Sequence, residues 1–187
     1  QIQKAQTKEL LVKTAYEIFS EQGIMKTRMS DIARAAGVSH GTVFVHFQTQ
    51  EALIEEVVET YCQKIALRTH DLAGSSGSLE ELLRAHLSGI KEFERFYTRL
   101  IIENQLLPPG ARDSWISIQS AVSFHFSLVY ERNTAPDGVP AYMLFNMWMG
   151  LVHYYLENGD LFAPEGNVID RYQEILIGNY IKLLNIK

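Results

Sequence analysis

Apolar residues recur at helical spacing along almost the whole chain, and no convincing period-2 run interrupts them. Leu11, Ala15, Ile18 and Phe19 stand at i, i+4, i+7 and i+8, one face of a helix. Leu53, Val57, Tyr61 and Ile65 repeat that spacing, and so do Leu82, Leu83, Leu87, Ile90 and Phe93. Trp115, Ile118, Val122, Phe126 and Val129 mark a further long helix. A half-buried strand would alternate instead, so the expected fold class is all-α, with about nine helices.

Punctuation divides this pattern. Gly23 suits the end of the first helix. Thr27 can cap a short second helix with Ile32, Ala33 and Ala36 inside, and Gly37 ends it. Ser39 can cap a third helix to about Phe47, and Thr49 a fourth. Gly74-Ser75-Ser76-Gly77-Ser78 reads as a loop, and Ser78 with Glu81 as a capping box. Pro108-Pro109-Gly110 is a break, and Pro136, Asp137, Gly138 and Pro140 mark another loop. The last two helices are expected from about Ala141 to Glu157 and from about Gly166 to Leu184.

Composition narrows the function classes. The 187 residues are 47% hydrophobic, enough for a real core, yet no run approaches ~18 apolar residues, so no transmembrane helix is expected. The polar start QIQKAQTKEL does not read as a secretory leader. The single cysteine, Cys62, excludes an internal disulfide and a multi-cysteine metal site, and the expected compartment is the reducing cytoplasm. A net charge of −5 argues against nucleic acid until it is divided along the chain. Residues 1–50 hold six Lys/Arg and four acids, net +2; residues 51–187 hold eleven and eighteen, net −7. Opposite signs suggest two jobs.

The informative stretch runs from Thr27 to Leu53: helix, turn at Ala36-Gly37-Val38-Ser39, short helix, then a third helix behind. Gly37 permits the sharp reversal. The helix after it begins with Ser39, His40, Gly41 and Thr42, small polar residues that let a helix N-terminus approach a surface closely. Backbone N–H groups and the positive dipole end there suit phosphate. This is the geometry of a helix-turn-helix, whose second helix enters the major groove.

Gly23, Thr27, Ile32, Ala33, Ala36-Gly37-Val38-Ser39, Gly41-Thr42, His46-Phe47 and Glu51-Ala52-Leu53 together resemble the TetR family of bacterial transcriptional regulators. The likeness in motif covers the first quarter to third of the chain. It implies a DNA-binding domain over residues 1–48 and a ligand-binding and dimerisation domain over 49–187. It implies DNA contacts from Thr27, Arg28, Ser30, Ser39, His40, Gly41, Thr42 and His46. Two positions depart from the family pattern: Phe44 replaces a common Tyr and cannot bond phosphate, and Gln50 replaces a common Lys. Phe44, Phe47 and Val43 are read as core of the three-helix head.

The segment Tyr142 to Val152 is apolar nearly all round, as a helix buried on more than one side would be. The resemblance implies a homodimer through the last two helices, with Phe145, Met149, Val152, Ile169, Tyr172, Leu176 and Tyr180 at the interface. It also implies an effector pocket, for which Phe93, Phe96, Tyr97, Trp115, Phe124 and Trp148 are aromatic candidates. Arg99, Glu103, His125, Asn146 and His153 are polar ones. Such a lining fits a small lipophilic effector.

The expected function is a ligand-responsive regulator, a repressor released from a palindromic double-stranded DNA operator by its effector. The alternative is a helical dimeric scaffold without DNA binding. The sequence holds no HExxH helix, phosphate loop or Gly-x-Ser-x-Gly elbow, so no enzyme, catalytic residue, metal or cofactor is expected.

Overall fold

In a computed structural model describing residues 2–74, 77–133 and 138–184, the chain forms ten α-helices and one 3₁₀ turn, with no strand among the described residues. They are α1 (Ile2–Gln22), α2 (Met29–Ala36), α3 (His40–His46), α4 (Gln50–Ala73) and α5 (Leu79–Lys91). After these come α6 (Glu94–Glu103), the 3₁₀ turn Asn104–Leu106, α7 (Pro109–Asn133), α8 (Ala141–Glu157), α9 (Gly159–Phe162) and α10 (Val168–Leu183). The all-α expectation holds, with α6 and α9 added where the sequence offered no clear reading. Ser75, Ser76, Pro136 and Asp137, expected in loops, lie outside the described residues.

The chain divides into two compact units. One comprises residues 1–63 with 95–116, the other 64–94 with 117–187. Both α4 and α7 contribute residues to each.

In the first unit, α1 buries Leu11, Ala15 and Phe19, α2 buries Ile32 and Ala33, and α3 buries Val43. Phe47, Leu53 and Val57 complete this core. The α2 C-terminus closes as a Schellman turn: Gly37 N–H donates to Arg34 O and Val38 N–H to Ala33 O. Gly37 sits at φ 68°, a conformation that penalises any side chain. The Thr27 cap does not form. Arg28 occupies the cap position, and its N–H donates to the Asp31 carboxylate at 3.0 Å. Ser39 caps α3 by accepting from Thr42 N–H at 3.1 Å, and Thr49 accepts from Ala52 N–H at 3.1 Å.

In the second unit, α5 packs along α10, and α10 along α8. The Ser78–Glu81 capping box opens α5, with both reciprocal bonds present. Gly89 lets α5 cross the end of α4 closely: a Cβ there would stand 2.9 Å from Thr69 Cα. Buried Glu94 caps α10, accepting from Val168 N–H at 2.7 Å and Ile169 N–H at 3.0 Å. Arg84 grips Glu174 with two bonds, and Lys91 pairs with Asp170.

Candidate nucleic-acid interface

The Schellman turn and the Ser39 cap fix where α3 begins. Its first residues, His40 and Gly41, are exposed, as is Ser39. Thr42 is half-buried, and it shares a hydroxyl–hydroxyl bond of 2.8 Å with Ser39, so its oxygen is already engaged. His40 stands edge-on to the Phe44 ring at 4.8 Å. Phe44, expected in the core, is 42% exposed instead, because residues 43 and 47 take the inward side of α3 and residue 44 turns away. Val45 is exposed too, while His46 is half-buried. The surface offered by α3 is therefore small, polar at its start and apolar along its side.

Arg28 and Ser30 are exposed at the start of α2. Thr27 is not: its side chain is buried, donating to Gly23 O at 2.7 Å and accepting from Gln22 at 3.2 Å. Its hydroxyl therefore holds the turn before α2. Gln50, noted in the sequence only as an uncharged departure, donates to Thr27 O at 2.8 Å and ties the start of α4 to that turn. Lys8 pairs with Glu56 at 2.7 Å, whereas Lys4, Lys13 and Lys26 are exposed, as Arg28 is.

Two α6 residues complete this frame. The Arg99 guanidinium donates to Glu21 O at 2.7 Å and Ser20 O at 3.4 Å, the last carbonyls of α1. Glu103 accepts from Ile24 N–H at 2.9 Å and Met25 N–H at 3.0 Å. One turn of α6 thus holds both polarities of the α1–α2 connection. Glu103 and Arg99, candidates for orienting a ligand, are bonded to backbone within the first unit. The sequence separation is 79 between Glu103 and Ile24, so no local signal announces the pairing.

The remaining pocket candidates fall into both units. Phe96, Tyr97 and Trp115 are buried in the first, where Tyr97 and Trp115 stand 5.0 Å apart and Phe96 packs against the stacked Tyr16–Tyr61 pair. Phe93, Phe124, His125, Asn146, Trp148 and His153 belong to the second. Phe124, His125 and Asn146 face outward, whereas Trp148 is fully buried and donates to His86 Nδ1 at 3.2 Å. Burial pushes the His86 imidazole down to about 3 and that of His153 to about 4.

The expected dimer residues also resolve into faces. Phe145, Met149, Val152, Ile169, Leu176 and Tyr180 are buried within the second unit itself, and Tyr172 is half-buried. Their apolar area forms that unit's core. The outward stripe of α8 is Met143, Met147, Gly150 and Tyr154, flanked by Tyr142; on α10, Ile175 and Leu183 face out.

Residues 11–57 match the family model described as bacterial regulatory proteins, tetR family. The chain is 25% identical over 170 residues to an uncharacterized HTH-type transcriptional regulator, YerO, of Bacillus subtilis (strain 168), covering 82% of this chain and 57% of that protein. It is 27% identical over 110 residues to the HTH-type transcriptional repressor KstR2 of Mycobacterium tuberculosis, covering 57% of this chain and 55% of the relative. The chain spans about half the length of these curated relatives. A TetR transcriptional regulator from Legionella pneumophila shares the fold, with TM-score 0.76 at 20% identity over 96% of this chain and 97% of that one.

Proposed function

From the premise that this chain belongs to the TetR family of bacterial regulatory proteins, a family of regulators and not of enzymes, we propose that it is a DNA-binding transcriptional repressor of the cytoplasm. Residues 1–48 form the reading head, and residues 49–187 the effector and dimer body. The observation that carries this reading is the fixed, exposed start of α3 at Ser39, His40 and Gly41. Backbone N–H groups at that end suit phosphate, and the small side chains admit a close approach to base edges. Arg28 and the exposed lysines add the sequence-independent attraction.

One short helix reads few bases. Two heads about 34–36 Å apart read a palindrome, so a homodimer through α8 and α10 completes the function. Its face is the outward stripe of Met143, Met147 and Tyr154 with Ile175 and Leu183, apolar side chains that a monomer leaves in water. No helix among the described residues is long and apolar enough to cross a membrane. A small lipophilic effector held by the body favours a conformation in which the heads no longer match the half-sites. A coupling of about 1–3 kcal/mol changes operator affinity 5–150-fold.

The test is fluorescence anisotropy with DNA from upstream of the protein's own gene. Sequence-selective, salt-sensitive binding is expected, and the double variant Arg28→Ala with His40→Ala should abolish it while remaining dimeric in sedimentation. A dimer with no selective binding to any DNA would return the scaffold reading.

A further inference from the structure

A buried polar cluster in the second unit is used by none of the roles above. The Trp148 indole N–H donates to His86 Nδ1 at 3.2 Å. An indole nitrogen can only donate, so His86 must present a lone pair at Nδ1. Burial keeps this imidazole neutral, and its one proton then sits on Nε2. The neighbouring groups are already bonded. Tyr180, whose ring stands 5.0 Å from Trp148, donates its hydroxyl to Leu144 O at 2.6 Å. His153, on α8, is the second imidazole of the cluster, near enough that charge on it opposes charge on His86.

His86 Nε2–H has no acceptor among the described residues. Every fully enclosed side-chain nitrogen or oxygen among them does have a partner. Nε2 is therefore not fully enclosed, and the 3% of His86 that remains exposed includes this atom. A donor so placed, on an almost wholly buried imidazole whose other nitrogen is held by the Trp148 indole, is a point where an acceptor that reaches it can bind.

We propose that His86 Nε2–H is the polar anchor of the effector site in the body of this protein, holding an uncharged acceptor such as a carbonyl on an otherwise apolar small molecule. This rests on the effector reading given above. A carboxylate is the poorer fit, because neither imidazole carries charge at neutral pH to offset its desolvation.

The experiment uses the full chain with Trp115→Phe, so that Trp148 is the only fluorophore of its kind. Two probes of equal length, 2-octanone and 1-octene, are titrated while Trp148 emission is followed. The ketone should bind about tenfold more weakly to the His86→Leu variant than to the parent, with the alkene changed less than twofold. His86→Gln, whose amide can accept from Trp148 and donate onward, should restore most of the ketone affinity. Because His86→Leu removes a core group, the wild-type chain gives an independent reading: its His86 Nε2–H resonance should shift on adding 2-octanone and not on adding 1-octene. Equal sensitivity of both probes to His86→Leu, or a ketone that leaves the Nε2–H resonance unmoved, overturns the inference. Operator binding by the same sample is measured separately. Its absence overturns the regulator reading, whereas the ketone result alone decides this one.

Discussion

Glu103 shows what a single residue can do far from its neighbours in sequence. Its carboxylate takes the N–H groups of Ile24 and Met25, which lie in the α1–α2 connection and have no helical acceptor. Glu103→Ala leaves both amides without that acceptor and should cost about 1–3 kcal/mol of unfolding free energy in a urea titration. Glu103→Gln keeps one acceptor oxygen and should lose less. The role was not legible beforehand, because a glutamate in a helix announces nothing about a backbone 79 positions away. Thr27 failed for a related reason. Threonine suits a helix cap and a buried turn equally well, and only the Arg28–Asp31 bond, which gives the cap to residue 28, separates the two.

At the scale of elements, most of the architecture was readable where the determinants are local. The Ser39 and Thr49 caps, the Ser78–Glu81 box and the Gly37 reversal each depend on residues within four positions, and each formed as expected. Orientation was readable only where the apolar pattern is one-sided. Helix α4 is such a case, and Leu53, Val57, Tyr61 and Ile65 are all buried. Helix α8 is apolar all round, so spacing cannot tell its inward side from its outward one, and the interface residues chosen from sequence turned out to be core. This gives a sharp contrast between two substitutions on one helix. Met147, 59% exposed, should tolerate Arg in the folded monomer, and Met147→Arg should shift a dimer to monomers in sedimentation equilibrium. Val152→Arg places a charge in the core and should unfold the second unit, seen as lost helical circular dichroism.

At the scale of the whole molecule, acid should act through the body of the protein. His86 and His153 are held down at about 3 and about 4 by burial, below the ordinary histidine value of 6.5. Both bind protons more readily when unfolded, so stability is fully present above about pH 6.5 and falls as pH drops toward their folded values. Each histidine should lower the folding equilibrium constant about tenfold per pH unit within that window. The melting temperature, followed by circular dichroism, should be flat from pH 7 to 8 and decline below 6.5, more gently in His86→Gln than in the parent. The division of charge along the sequence, +2 then −7, was visible from the start. The division of structure was not. Residues 95–116 join the first compact unit through α6 and the start of α7, and no boundary drawn along a linear sequence assigns them there.

The grip of α6 on the α1–α2 connection has a consequence for how such a protein can diverge. Arg99 and Glu103 bond only main-chain atoms: two carbonyls and two amides. The side chains of Glu21 and Met25, both exposed, take no part in that hold. Substitutions at these two positions leave all four bonds in place, so the side chains of Glu21 and Met25 can change while the support of the connection stays the same.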